Sequence, residues 1–349
     1  MAKLKYLAGL TVPLAAFASI YFDGGWSYIA LIYAFGVLPF LEIVLKPDTN
    51  NMQEAEMEVA RDDSIYDLML YIMVPIQFGL LAYFLYTVSF IEVSTFEFIG
   101  KTIAMGISCG VLGINVAHEL GHRRSAHERV MAKLLLMTSL YMHFIVEHNR
   151  GHHNRVATPE DPTSARFGEP LYFFLVRSIV FSYLSSWNLE FNRLEKAGKN
   201  KFSIENEILR FTFFQIAFVF LILFVFGPIG VLGFVLAATI GFILLESVNY
   251  IEHYGLSRKK ISEGRYEKTR HTHSWNSDHP LGRLVLFELT RHSDHHAYSG
   301  RKYQVLRHYD DSPQMPAGYP AMLVLSTIPP LWFYVMHKNM KAQNLPIAA

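Results

Sequence analysis

Residues 211–245 read FTFFQIAFVFLILFVFGPIGVLGFVLAATIGFILL, and this stretch contains no charged side chain. An α-helix needs about 20 apolar residues to cross the hydrocarbon core of a bilayer, so the stretch is long enough for two crossings. Gly227 and Pro228 stand near its middle, where glycine permits a turn and proline removes a backbone donor. We therefore expect a hairpin of two membrane-spanning helices, over about 208–226 and 229–248.

Charges are equally scarce in other parts of the chain. Residues 68–91 carry none, and between Tyr6 and Leu41 the only charge is Asp23. Backbone polar groups in lipid must be paired within their own segment, so such stretches are expected to be helical. The sequence predicts an all-α integral membrane protein with six transmembrane helices, folded as a single membrane-embedded domain over 1–349. Besides the hairpin, the predicted spans are about 5–21, 26–45, 66–89 and 97–117.

Three shorter apolar segments need a different interpretation. Residues 131–146 and 171–186 are flanked by polar chain, which favours helices that lie under the bilayer or pack beneath the spans. Residues 318–336 are interrupted by Pro329 and Pro330. For this last segment we expect a re-entrant or surface-packed structure rather than a seventh crossing.

Composition excludes several classes of protein. Hydrophobic residues make up 51% of the chain and charged residues 17%, so the chain is too apolar to remain disordered. Lys and Arg total 31 against 30 Asp and Glu, which argues against a nucleic-acid partner, since that partner requires a basic surface. Cys109 is the only cysteine, and this excludes an intrachain disulfide and a cysteine-based metal site.

The distribution of positive charge predicts the orientation in the membrane. With six spans and the N-terminus inside, 30 of the 31 Lys and Arg residues lie on the inner side, and Lys101 is the exception. Lysine and arginine are retained on the cytoplasmic side of membranes. The three outer turns, near 22–25, 90–96 and 227–228, contain neither residue. We therefore expect both termini to face the cytoplasm.

All sixteen histidines lie between His118 and His337, outside the predicted spans. They concentrate in two inner regions, 118–160 and 249–300, and His253 is a single candidate just past the sixth span. Three clusters with histidines one helical turn apart are HELGH at 118–122, HNRGHH at 148–153 and HSDHH at 292–296. The nine candidate metal ligands are His118, His122, His148, His152, His153, His253, His292, His295 and His296.

Adjacent histidines in these clusters indicate more than one metal ion. Neighbouring residues of a helix point about 100° apart, so His152 and His153 cannot easily bind one ion from one face. Nine imidazoles also exceed what a single ion can bind. Imidazole is a good ligand for iron, copper, zinc and nickel, so the count predicts two metals without identifying them.

Two other functions are compatible with part of this pattern. His118, Glu119 and His122 fit the HExxH motif of a zinc protease, in which the glutamate is the general base. Catalytic zinc takes three protein ligands, and this reading leaves at least six clustered histidines unexplained. A metal transporter would be expected to place its ligands near the middle of the bilayer, whereas here they follow the ends of the spans.

Four motifs resemble those of the integral-membrane alkane hydroxylases (alkane 1-monooxygenases), within the histidine-box di-iron desaturase and hydroxylase superfamily. These motifs are HELGH (118–122), EHNRGHHNRVATPEDP (147–162), NYIEHYGL (249–256) and RHSDHHA (291–297). The segment His273–Ser277 also matches that family. Acyl desaturases share the general spacing of the boxes but not the last two motifs.

The resemblance implies a non-haem di-iron centre, held by the nine histidines, that inserts one oxygen atom of O₂ into the terminal methyl group of a medium- to long-chain n-alkane. The implied electron donor is rubredoxin, supplied by an NAD(P)H-dependent reductase, and the alkane is implied to enter from membrane lipid. The implied location is the bacterial inner membrane. Related enzymes acting on alkyl aromatics or fatty acyl chains are the nearest alternative.

Further candidate residues surround the histidines. Carboxylates that could orient a metal-bound imidazole are Glu119, Glu147, Asp161, Glu252 and Asp294. Small residues that could leave room for a substrate chain are Ala34, Gly36, Gly106, Gly110 and Gly113. Close helix packing is an alternative role for the glycines. Some of the basic residues on the inner side are expected to form a docking surface for an acidic electron donor. The candidates include Arg123, Arg124, Arg150, Arg155, Arg258, Lys259 and Lys260.

Overall fold

The computed structural model describes residues 2–345, and most of them are helical. The helices are α1 (Lys3–Tyr21), α2 (Gly24–Val44), α3 (Glu54–Asp62), α4 (Ser64–Phe90), α5 (Thr95–Gly121), α6 (Ala126–Met137), α7 (144–155), α8 (Leu171–Lys196), α9 (Glu207–His253), α10 (Pro280–Val285), α11 (His292–Ala297), α12 (Tyr319–Ser326) and α13 (Pro329–Ala342). The strands β1 (Lys260–Ser262) and β2 (Arg265–Tyr266) form an antiparallel hairpin. Short 3₁₀ turns occupy His271–His273 and Tyr303–Val305.

Within residues 2–345, five helices are long and apolar enough to cross a membrane: α1, α2, α4, α5 and α9. Helix α9 has 47 residues, and Gly227 inside it has non-helical torsion angles (φ 71°, ψ −174°). Glycine adopts a positive φ without steric cost, and Pro228 cannot donate the next backbone hydrogen bond. The chain therefore departs from helical geometry where the glycine–proline pair predicted a turn. Helix α5 extends to Gly121, so His118 lies inside it and not after it.

The turns near 22–25, 90–96 and Gly227 lie at the same end of the molecule. The backbone N–H of Gly24 donates to Glu97 at the start of α5, over 2.7 Å. The rings of Phe90, at the end of α4, and Phe226 lie 6.0 Å apart. The histidine clusters lie at the opposite ends of α5 and α9, because each of these helices carries its histidines in its last turns.

Residues 131–146 are helical at both ends, as expected, but the helix is interrupted in the middle. Helix α6 ends at Met137, and Leu140 then adopts a positive φ of 51° before α7 begins. The Thr138 hydroxyl donates to the Leu135 carbonyl and competes with the helical pattern there. The segment is buried beneath the long helices instead of lying on a surface.

The other two short apolar segments have clear boundaries. Residues 171–186 form the first part of the 26-residue α8, which exposes the apolar side chains of Tyr172, Phe173 and Val176. The C-terminal apolar run is divided into α12 and α13, and the second of these begins at Pro329. Proline is tolerated in the first turn of a helix, where no intrahelical donor is needed, so the chain restarts there.

Lys101, the exception in the charge pattern, is completely buried. Its Nζ donates to the carbonyls of Ile20 and Phe22, over 2.7 and 2.9 Å, and lies 3.5 Å from Asp23 Oδ1. The last carbonyls of a helix have no intrahelical partner. The ammonium group therefore caps the C-terminus of α1 and joins it to α5.

We predict that Lys101→Met leaves these carbonyls unpaired and destabilises the fold by about 1–3 kcal/mol. The measurement is the thermal-unfolding midpoint of the purified protein in detergent. Lys338→Met, at an exposed position of α13, is the matched control and should leave the midpoint unchanged. Equal midpoints for the two variants would contradict the capping role.

Candidate metal centre

The nine clustered histidines converge in two groups. In each group the ring nitrogens lie within 4.8 Å of one another. The five-histidine group consists of His118, His122, His148, His153 and His295. The four-histidine group consists of His152, His253, His292 and His296.

Local helix geometry explains why neighbours in sequence separate. His118 and His122 lie one turn apart on one face of α5, and both belong to the five-histidine group. Residues 147–152 form a π-helical turn. His152 is its last residue and His153 follows it, and the two rings point into different groups. His295 and His296 on α11 separate in the same way. Each adjacent pair therefore contributes one ring to each group.

The rings face one another through their Nε2 atoms. The Nε2–Nε2 distance is 2.8 Å between His118 and His295 and 3.1 Å between His122 and His148. Burial, together with the neighbouring imidazoles, lowers the pKa of His148 and His295 well below the usual value. Neutral imidazoles present lone pairs, and lone pairs that converge at such distances are suited to binding cations. The donor set fits two non-haem metal ions.

Asp161 is the carboxylate that contacts the second nitrogen of a clustered histidine. Its Oδ2 lies 2.8 Å from His152 Nδ1 and accepts from the Ser164 hydroxyl at 2.6 Å. Burial opposes ionisation of Asp161, but the interactions with His152 and the hydrogen bond from Ser164 hold its pKa below the usual range. Thr163 also contacts His152 Nδ1, at 2.6 Å. These contacts fix the ring with Nε2 directed at the four-histidine group.

Glu252 approaches the same group from another side. Its Oε1 accepts from the Tyr319 hydroxyl at 2.9 Å, and its Oε2 lies 3.2 Å from His292 Nε2. The carboxylate thus borders the nitrogen that faces the group and not the Nδ1 atom on the far side of the ring. An oxygen donor is thereby available next to four imidazoles.

The remaining three candidate carboxylates contact arginines. Glu119 binds Arg123 at 2.7 Å, and Glu147 binds Arg155 at 2.6 Å. Asp294 binds Arg301 at 2.6 Å. Among the residues that the structure describes, none of the three makes a hydrogen bond to a clustered histidine. Glu119 is therefore engaged and not free as the general base that a zinc protease needs.

An apolar cavity ends at His118. The empty space inside it, including its open mouth, is about 800 Å³. Helices α1, α2, α5, α9, α10 and α12 form its wall, with apolar side chains such as Phe35, Ile107 and Leu323. The cavity can hold an apolar chain with one end beside the five-histidine group.

Two of the five small candidate residues, Ala34 and Gly110, line this cavity. Gly106 and Gly113 pack against other parts of the protein, because a Cβ would meet Ile240 at 2.5 Å and the Ser139 hydroxyl at 3.0 Å. Gly36 is not part of the lining either. The close-packing role thus describes Gly106 and Gly113.

The histidine motifs did not indicate two further residues of the site. Thr163 contacts His152, and Asn115 lines the apolar cavity three residues before His118. Asn115 could have been noticed as an amide near the inner end of the predicted span 97–117. Thr163 could not, because only the fold brings it to the ring.

The apolar helices and buried histidine groups together define a helical membrane protein with a non-haem metal centre. Residues 95–326 match the fatty acid desaturase family. Alkane 1-monooxygenase 1 of Pseudomonas aeruginosa is 43% identical, over 91% of this chain and 84% of the relative. Alkane 1-monooxygenase 1 of Alcanivorax borkumensis is 40% identical, over 88% and 77%. The xylene/toluene monooxygenase hydroxylase component of Pseudomonas putida is 27% identical, over 97% and 89%.

The chain therefore belongs to the fatty acid desaturase family and, within it, to the alkane 1-monooxygenases. The resemblance inferred from the four histidine motifs is confirmed.

We predict that Asp161→Asn weakens metal binding, because the amide cannot both fix the His152 ring and support it with negative charge. Removing such an orienting carboxylate costs roughly 10- to 100-fold in metal affinity. The measurement is metal content per chain after dialysis against a graded chelator. Asp311→Asn is the control, since Asp311 is exposed and contacts only His271 among the described histidines. Equal metal retention by both variants would contradict the orienting role.

Proposed function

We propose that this protein hydroxylates the terminal methyl group of medium- to long-chain n-alkanes, with O₂ as oxidant and two electrons from a donor protein. The observation that carries the proposal is the apolar cavity that ends at His118. An alkane has no polar group, so only shape and apolar contact can orient it. The relatives named alkane 1-monooxygenase, at 43% and 40% identity, support this substrate.

The proposed cofactor is a pair of iron ions, with the nine histidines as ligands. The five-histidine group would hold one ion and the four-histidine group the other, with Glu252 beside it. When bound, iron supplies the redox chemistry that activates O₂. Asp161 and Thr163 keep the His152 ring oriented for binding.

The protein's own contribution is to position the substrate and exclude water. The reaction consumes an alkane, O₂, two electrons and two protons, and yields a 1-alkanol and water. The cavity wall removes the chain from water and lipid and directs one end at His118. A fixed approach of this kind selects the terminal carbon, because the rest of the chain remains among apolar side chains.

We propose six crossings, with α9 forming two of them around Gly227. The turns at 22–25, 90–96 and 227–228 would lie on the outer side, and the histidines and both termini on the cytoplasmic side of a bacterial inner membrane. Support comes from the positive charges, which are almost absent from the end that carries these turns. Lys101 is compatible with this orientation, because its charge is buried against helix carbonyls.

We propose rubredoxin as the electron donor, with an NAD(P)H-dependent reductase behind it. Two of the nine histidines, His122 and His153, are half-buried, and both belong to the five-histidine group. The other seven are buried. Electrons would therefore enter at this edge of the five-histidine group. Arg124, Lys259 and Lys260 are exposed and available to an acidic partner.

The proposal is tested by metal analysis and turnover. The purified protein should contain about two irons per chain and convert decane to 1-decanol with rubredoxin, its reductase and O₂. The 27% identical xylene/toluene monooxygenase component makes p-xylene the comparison substrate. Iron near zero after reconstitution, or p-xylene turnover well above that of every n-alkane tried, would overturn the proposal.

We predict that Ala34→Trp shortens the longest n-alkane that the enzyme accepts, since Ala34 lines the cavity. Overpacking costs about 1–3 kcal/mol, so turnover of the longest substrates should fall roughly fivefold or more, while short chains are affected less. The measurement is product yield across a series of chain lengths. Ile32→Trp places the same side chain at a position of α2 that is 58% exposed, and its product profile should match the wild type. An unchanged profile for Ala34→Trp would contradict the role of this wall.

A further inference from the structure

Polar groups are rare in the wall of the apolar cavity. The lining side chains with hydrogen-bonding atoms are Asn115, His118 and Tyr319. The Tyr319 hydroxyl donates to Glu252 at 2.9 Å, and His118 Nε2 faces His295 Nε2 at 2.8 Å. Asn115 therefore carries the remaining polar group that a bound molecule could meet.

The amide orientation of Asn115 is fixed by its neighbour. Its Nδ2 lies 3.1 Å from the carbonyl oxygen of Leu286. A carbonyl oxygen only accepts hydrogen bonds, so the NH₂ group must face Leu286 and Oδ1 must face away. Among the described residues, none donates a hydrogen bond to this Oδ1. The side chain as a whole is 8% exposed and lines the apolar cavity, so this acceptor is available to a molecule in the cavity.

Asn115 lies between the apolar cavity and the histidines. It ends the π-helical turn Cys109–Asn115 and precedes His118 by three residues, on the same face of α5. It also borders a second, smaller cavity whose wall includes His118, Glu119 and His295. A molecule that moves between the five-histidine group and the apolar cavity would pass this amide.

The substrate and the product differ in what they offer to Asn115 Oδ1. An alkane has no donor, so an alkane in the cavity leaves the oxygen unpaired. A 1-alkanol has one hydroxyl, at the carbon that was nearest the metals. A buried acceptor is costly when unpaired and favourable when it receives a hydrogen bond. The same side chain therefore distinguishes product from substrate.

We propose that Asn115 is a product-positioning residue, which accepts a hydrogen bond from the hydroxyl of the 1-alkanol as it moves away from the metal centre. This inference rests on the proposed function. The hydroxyl gains a partner one helical turn from His118, and the alkyl chain remains in the apolar cavity. The product consequently binds more tightly than a molecule of equal size that cannot donate.

Two isomers of formula C₁₀H₂₂O test this directly. 1-Decanol donates and accepts hydrogen bonds, whereas 1-methoxynonane only accepts. Their inhibition constants against decane hydroxylation are measured with iron-loaded enzyme and rubredoxin, at equal mole fraction in detergent. One hydrogen bond corresponds to a factor of roughly three to ten. In the wild type, 1-decanol should inhibit more strongly than the ether by this factor, and in Asn115→Leu the ratio should approach one.

The ratio of the two constants separates this role from a general effect on the cavity. Val111→Ala changes the same wall without altering a polar atom, and it should keep the wild-type ratio. An equal ratio in the wild type and Asn115→Leu would overturn the proposal.

A second measurement requires neither turnover nor a folded variant. The shift in thermal-unfolding midpoint of the wild-type protein is compared for 1-decanol and 1-methoxynonane. A larger shift for 1-decanol is expected, and equal shifts would overturn the proposal. If the wild type did not hydroxylate any alkane, the proposed function would fail, and this comparison would still decide whether the protein binds a hydroxyl more tightly than an ether of equal size.

Discussion

The structure depends on holding neutral imidazoles against one another inside the protein. Pairs of Nε2 atoms approach within 2.8–3.3 Å in both histidine groups. Two facing lone pairs repel unless a cation or a proton lies between them, so the positions of the rings must be fixed by the scaffold or by bound metal. The carboxylates near the histidine clusters have different structural roles. Asp161 holds a ring, whereas Glu119, Glu147 and Asp294 hold the segments that carry the rings. Glu119 also accepts from the backbone N–H of Tyr303 at 3.1 Å, and so ties α5 to a distant part of the chain.

Three π-helical turns accompany this arrangement, at Tyr33–Val37, Cys109–Asn115 and Glu147–His152. A π-helical turn inserts extra chain into a helix and turns the residues that follow it. The first two line the apolar cavity through Ala34, Phe35, Gly110, Val111 and Asn115. The third separates His152 from His153. Departures from regular helix thus occur where the wall of the cavity and the histidines are built, which is typical of functional sites.

The sequence was sufficient to predict the apolar helices, the break at Gly227 and the clustering of nine histidines, because each depends on local spacing. The two-group division also followed from local geometry, since adjacent residues of a helix cannot face one point. The assignment of His253 to the four-histidine group could not be predicted, because it depends on how α9 packs against α7 and α11. Likewise, Ala34 and Gly110 face the cavity whereas Gly106 faces Ile240. The rotation of each helix about its own axis decides which small residues face the cavity and which pack against another helix. The sequence pattern alone does not give that rotation.

In the proposed enzyme, substrate and electrons reach the five-histidine group from different sides. His118 borders the apolar cavity, whereas His122 and His153 are half-buried at the edge of the group. A donor protein at that edge would not need to open the cavity, and an alkane entering from lipid would not need to cross an aqueous surface. The four-histidine group is buried throughout, and the carboxyl groups of Glu252 and Asp161 border it. This asymmetry would give two bound metals different surroundings: one would be accessible to both reactants, and the other would be shielded and bordered by carboxyl groups.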